Sequence, residues 1–113
     1  MILKRLEDRE LCADLVKVQW KTKSGVARDE WGILDDISPS GACLEMENKI
    51  HPETIVSMEF PTDHCQARVM YCKFEEVKYI VGVKFTQGYR WSRSKYKPRH
   101  LIQFRLRKVS KGQ

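Results

Sequence analysis

Trp31-Gly32-Ile33-Leu34-Asp35-Asp36-Ile37-Ser38-Pro39-Ser40-Gly41-Ala42-Cys43-Leu44-Glu45-Met46-Glu47 reads as two strands joined by a turn. Trp31, Ile33 and Leu34 make an apolar strand that ends at Asp35-Asp36, and Ser38-Pro39-Ser40-Gly41 is turn chemistry. After it, Ala42, Leu44 and Met46 alternate with Cys43, Glu45 and Glu47. Such period-two alternation is the pattern of a strand buried on one face, so the segment is expected to be a hairpin.

The same period runs outward in both directions. Val16, Val18 and Trp20 alternate with Leu15, Lys17 and Gln19, and Lys23-Ser24-Gly25 follows as a turn. Downstream, Val56/Met58/Phe60, Ala67/Val69/Tyr71 and Val81/Val83/Phe85 repeat the pattern, with Glu75-Glu76 turning the chain between the last two. Six consecutive short strands with no helix between them exclude a parallel sheet, whose crossovers need about a dozen residues or more. The expected fold class is all-β, an antiparallel barrel or sandwich that leaves no exposed edge. From Pro98 to Val109 the period changes: Leu101, Ile102, Arg105 and Val109 share one side, which predicts a C-terminal α-helix laid on the barrel. The expected organisation is a flexible N-terminal arm over residues 1–12, a barrel over 13–89, and a basic helix and tail over 90–113.

The chain has 113 residues, 42% hydrophobic and 32% charged, an ordinary globular composition with room for one core. Its net charge of +6 is unevenly spread. Nine of the 21 Lys and Arg lie in residues 90–113, which hold no acid, leaving 12 bases against all 15 acids elsewhere. No apolar run approaches the roughly 20 residues of a membrane span. Glu7 and Asp8 stand where a signal peptide would be apolar, so a cytoplasmic protein without membrane insertion is expected. Cys12, Cys43, Cys65 and Cys72 form no C-x-x-C pair and have no His at metal-ligand spacing, so they read as thiols in a reducing compartment and no metal site is expected.

Two motifs carry function. Arg5-x-x-x-Arg9 precedes the first strand, and Asp36-x-Ser38-x-x-Gly41 lies between the second and third. An Arg pair at this spacing is about an even chance in so basic a chain, whereas the Asp-Ser-Gly pattern is expected roughly 0.02 times, which makes it the informative one. Together with Tyr79-Ile80-Val81-Gly82-Val83-Lys84-Phe85, these motifs resemble the PilZ family over about Arg5 to Phe85. The resemblance implies a six-stranded antiparallel barrel, with the basic helix as a C-terminal addition. It also implies a ligand, cyclic di-GMP, bound by Arg5, Arg9, Asp36, Ser38 and Gly41, with Lys4, Ser40, Ala42 and Tyr71 as further candidate contacts. In this family the residue at Lys4 is associated with how many ligand molecules bind. Ala42 stands where many members carry a second glycine.

The residue types suit that ligand. A guanidinium meets guanine O6/N7 or a phosphate through two parallel hydrogen bonds and can stack on a base. An ionised Asp36 accepts from guanine N1–H and N2–H, a pattern adenine does not offer. Ser38 supplies a short hydroxyl, and Gly41 permits positive φ and close backbone approach. Plainer readings stand beside these: a solvated arm whose Glu7 and Asp8 neutralise the arginines, an ordinary Asp-Ser-Gly turn, and Tyr71 as barrel core.

The expected function is a non-enzymatic receptor that needs no cofactor. The arm would fold over cyclic di-GMP and present a new surface to an unidentified effector protein. No Gly-x-Ser-x-Gly, paired-carboxylate or phosphate-loop motif indicates catalysis. The alternatives are a barrel that binds nucleic acid through its basic tail, and an adaptor of the same fold that binds no ligand.

Overall fold

The computed structural model describes residues 8–99. Its strands are β1 (Glu10–Lys21), β2 (Ala27–Ser38), β3 (Gly41–Met46), β4 (Ile55–Glu59), β5 (His64–Glu75) and β6 (Lys78–Phe85). They pair antiparallel in the order β1-β2-β3-β6-β5-β4 and close into a barrel. The seam is short: Lys17, Val18 and Gln19 of β1 face Glu59, Met58 and Ser57 of β4. Among the described residues there is no helix, and none long and apolar enough to cross a membrane. The helix expected after Pro98 lies, from His100 onward, outside the described residues.

Apart from Asp14 of β1, the inward side of the strands is apolar. Val16, Val18, Leu34, Leu44, Val56, Met58, Val69 and Val81 are fully buried in one core. Each such side chain contributes about 1.5–3 kcal/mol by leaving water, which pins the register, since a one-residue slip would turn this set outward.

Three register shifts interrupt the ladders: the one between Leu11 and Asp14 of β1 leaves the in–out alternation of that strand intact, and the other two break it. In β2, Leu34 pairs with Leu44 and Asp36 already with Cys43, so Asp35 is extra. The two inward residues there, Leu34 and Ile37, are three apart. β2 therefore does not stop at Asp35-Asp36 as expected but runs to Ser38. Of the apolar residues assigned to it, only Leu34 faces the core; Trp31 and Ile33 point outward, with Lys17 Nζ 5.8 Å from the Trp31 ring centre. In β5, Val69 pairs with Val83 and Tyr71 with Gly82, so Met70 is extra and Tyr71 is delivered to the outer face.

After β6 the chain crosses the open half of the seam. Trp91 and Tyr96 are buried in the core, the Tyr96 ring stacks on Phe60 at 4.5 Å, and Trp91 Nε1 donates to the Tyr96 carbonyl at 2.8 Å. Asp14, 3% exposed, accepts the Tyr96 hydroxyl at 2.6 Å and the Arg99 amide at 2.8 Å. A carboxylate this buried is tolerable because donors surround it. Residues 90–99 thus complete the barrel rather than trail from it.

Candidate functional site

The two bulges aim side chains at one patch. Cross-strand pairing links Leu11, Asp36, Cys43, Gly82 and Tyr71 in a single row across β1, β2, β3, β6 and β5. Bulges commonly re-aim side chains beside functional sites. Here one turns Asp36 outward and the other turns Tyr71 outward, toward opposite ends of the row. Tyr71 is 39% exposed, so the reading of it as barrel core is wrong; the bulge at Met70 shifts its phase.

Arg9 precedes β1 and reaches Asp36. Its Nη1 lies 3.3 Å from both carboxylate oxygens, with the Arg9 side chain 41% exposed and that of Asp36 14%. The other guanidinium N–H groups make no hydrogen bond among the described residues. Arg5 and Lys4 lie outside the described residues.

Asp36 and Ser38 are strand residues, not turn residues; the turn itself is only Pro39-Ser40, between the paired Ser38 and Gly41. The buried Ser38 hydroxyl donates to the Gly41 carbonyl at 3.4 Å and clasps the hairpin. The turn carbonyls are held from outside: Phe85 N donates to Ser40 O at 2.8 Å and Trp91 N to Pro39 O at 2.9 Å. Gly41 is not required for positive φ, as only Gly25 and Gly88 among the described glycines adopt it. It is required for space, because a Cβ there would overlap the Val83 carbonyl oxygen of β6. Ala42 also has ordinary φ, and its methyl belongs to the core, so only its backbone borders the site.

Gly82 and Cys43 were not anticipated. A Cβ on Gly82 would strike the Tyr71 ring, so the glycine lets the ring lie flat against β6. The Tyr71 hydroxyl is 3.9 Å from Cys43 Sγ, and the ring covers this outward-facing thiol. Burial, then the charge of Asp36, raises the Cys43 pKa; burial, then Cys43 itself, raises that of Tyr71. A glycine interrupting the apolar run Tyr79–Phe85 was the available signal, since an isolated strand glycine marks close approach.

Between these elements lies a groove of about 310 Å³, lined by Arg9, Ser38, Ser40, Gly41, Ala42, Met70, Tyr71, Gly82, Val83 and Lys84. A larger groove of about 500 Å³ lies among Gln19, Ser57, Glu59, His64, Gln66 and Tyr89, and no Lys or Arg lines it. Size favours the second, but an anion needs the cations of the first.

Beside the row, Asp35 titrates near 7, raised by burial and then by its hydrogen bond to Glu45. Lys78 Nζ, 2.8 Å from Glu45, holds the Glu45 carboxyl below its usual value, so the proton of the pair sits on Asp35. The four cysteines are free thiols; burial pushes Cys12 and Cys65 up to about 12. Among the described residues no cluster of His, Cys, Asp and Glu could hold a metal ion.

The family model of the PilZ domain matches residues 4–94, which spans both motifs and all six strands. The chain belongs to the PilZ family. The PilZ domain of YcgR from Escherichia coli, solved with c-di-GMP, is similar at a TM-score of 0.60 and 14% identity, covering 97% of this chain and 96% of that one. The K. pneumonia MrkH–c-di-GMP complex also gives 0.60, at 12% identity, covering 98% of this chain and 55% of MrkH. MrkH in its apo state gives 0.54 at 13% identity, covering 98% and 53%. The chain therefore spans about half the length of MrkH, and at these identities the likeness concerns the fold. A search of curated proteins finds no match.

Proposed function

We propose that this PilZ barrel is a non-enzymatic receptor for cyclic di-GMP that binds it in the groove between the Arg9 side chain and the Ser38–Gly41 hairpin. One observation carries the reading: Arg9, from outside the barrel, pairs with Asp36 and lines one groove with Ser38 and Gly41, although it lies 27 positions or more before all three in the sequence. The guanidinium of Arg9 is a forked donor of the kind guanine O6/N7 accepts, and the Asp36 carboxylate is an acceptor suited to guanine N1–H and N2–H. Arg5 extends the cationic arm, Lys4 adds a third cation, and Tyr71 with Ser40 borders the ligand.

The relay is part of the proposal. Ligand binding orders the arm over the hairpin, and an effector protein reads the result. Arg93 Nη2 sits 2.6 Å from Glu10 Oε1, next to Arg9, and Trp91 N holds the Pro39 carbonyl of the hairpin. The segment after β6 thus touches both halves of the site and can report on them. Calorimetric titration of cyclic di-GMP into the parent, Arg9→Ala and Asp36→Ala is the test. A charge-assisted hydrogen bond is worth about 1.5–3 kcal/mol, so each variant should bind roughly 10- to 150-fold more weakly. Equal affinity in all three proteins would refute the site.

A second reading draws on MrkH, described as a c-di-GMP-dependent transcription regulatory factor, of which this chain covers 51%. The basic run after residue 89 would then meet DNA. The truncation that tests it must begin at His100, because Trp91 and Tyr96 belong to the core. DNA binding lost on that truncation and steeply weakened by salt would favour it.

A further inference from the structure

Arg9 and Asp36 neutralise one another, so the pair adds no net charge to a groove proposed to hold two phosphates. Lys84 also lines that groove. It is exposed and sits on β6 directly across from Gly41 on β3. The other cations nearby are engaged: Lys78 with Glu45, Arg93 with Glu10, Arg68 with Glu53, and Lys73 over the Tyr71 ring at 5.6 Å. Among the described residues Lys84 has no ion-pair partner.

Its second neighbour sharpens the point. Arg68 of β5 is the direct cross-strand partner of Lys84. Like charges directly opposite each other destabilise a sheet. Glu53 already offsets the Arg68 charge, so Lys84 is the member of this pair left without a counter-charge.

We infer that Lys84 is the phosphodiester-binding cation of the groove, a role separate from the guanine-reading role of Arg9 and Asp36. The inference rests on the proposed cyclic di-GMP site. The ammonium is a compact charge on a long stem, suited to a phosphate oxygen rather than to the forked edge of a base.

The test titrates cyclic di-GMP into the parent, Lys84→Gln, Lys84→Arg and Lys21→Gln, with melting curves for each. Lys84→Gln should bind about tenfold more weakly, the equivalent of roughly 1.4 kcal/mol. That loss should shrink toward 1 M salt, where the screening length is about 3 Å. Its melting temperature should stay level, since Lys84 has no ion pair among the described residues to lose. Lys84→Arg should keep most of the affinity, and Lys21→Gln, at the far end of β1, all of it. A Lys84→Gln protein that binds like the parent overturns this inference and leaves the Arg9–Asp36 site standing. An equal loss in Lys21→Gln reduces the effect to net charge and also overturns it. A parent protein that does not bind cyclic di-GMP overturns both.

Discussion

Gly41→Ala is the sharpest probe of how the hairpin is held. Gly41 has no positive φ, so backbone preference does not oppose alanine, and the lower entropy of the unfolded chain would favour it by about 0.4–1 kcal/mol. Space opposes it: the new Cβ overlaps the Val83 carbonyl oxygen, with Lys84 Cα and the Val83 carbonyl carbon at 3.5 Å behind. A backbone carbonyl in a sheet cannot swing away as a side-chain tip can. β3 and β6 must part, loosening the Ser38–Gly41 clasp and the Ser40 carbonyl held by Phe85. Overpacking of this kind costs about 1–3 kcal/mol. For a domain of this size that lowers the melting temperature by roughly 4–8 °C per kcal/mol. Differential scanning calorimetry reads the shift directly. A Gly41→Ala protein that melts at or above the parent would refute the reasoning, because it would mean that the two strands have slack at this point.

Gly82→Ala meets the Tyr71 ring first, a side chain that can rotate aside, so it should melt closer to the parent than Gly41→Ala while uncovering Cys43. Reaction with a thiol reagent should quicken, and an unchanged rate would contradict the covering role of the ring. Tyr96→Phe removes the 2.6 Å donor to buried Asp14 and should cost about 1–3 kcal/mol, read as a lower urea midpoint with unchanged slope. Asp35 titrates near 7 when folded against an ordinary 3.8, so the folded state holds the extra proton across that window. Stability should therefore fall as pH rises through it. Asp35→Asn should flatten this part of the profile, and an identical slope in the variant would count against the Asp35–Glu45 pair.

The barrel was legible because its strands obey period two almost everywhere. The core residues read from Val16, Val18, Leu44, Met58, Val69 and Val81 all point inward. The motif residues Arg9, Asp36, Ser38 and Gly41 were legible as an ordered pattern, but their geometry was not. Alternation breaks at Asp35 and at Met70, the two bulges that build the site, because a bulge inserts one residue whose partner strand is distant in sequence. That is why Tyr71 read as ambiguous and β2 seemed to end early. Gly82 and Lys84 reach the groove only through pairing of β6 with β3, which links positions some 40 residues apart. Trp91 and Tyr96 were hidden by the charge around them: in a segment counted as a basic tail, two aromatic rings serve the core.

The most direct test of the account is to titrate cyclic di-GMP into isotope-labelled protein and follow the backbone amides by NMR. The prediction is that Gly41, Ala42, Gly82 and Lys84 shift together with Arg9 and Glu10, while Gly25 and Lys23 at the far end of the β1–β2 hairpin stay fixed. Saturating ligand with no movement at Gly41 or Gly82, or movement confined to the Gln19–Tyr89 groove, would contradict the central claim that this row of strands is the receptor surface.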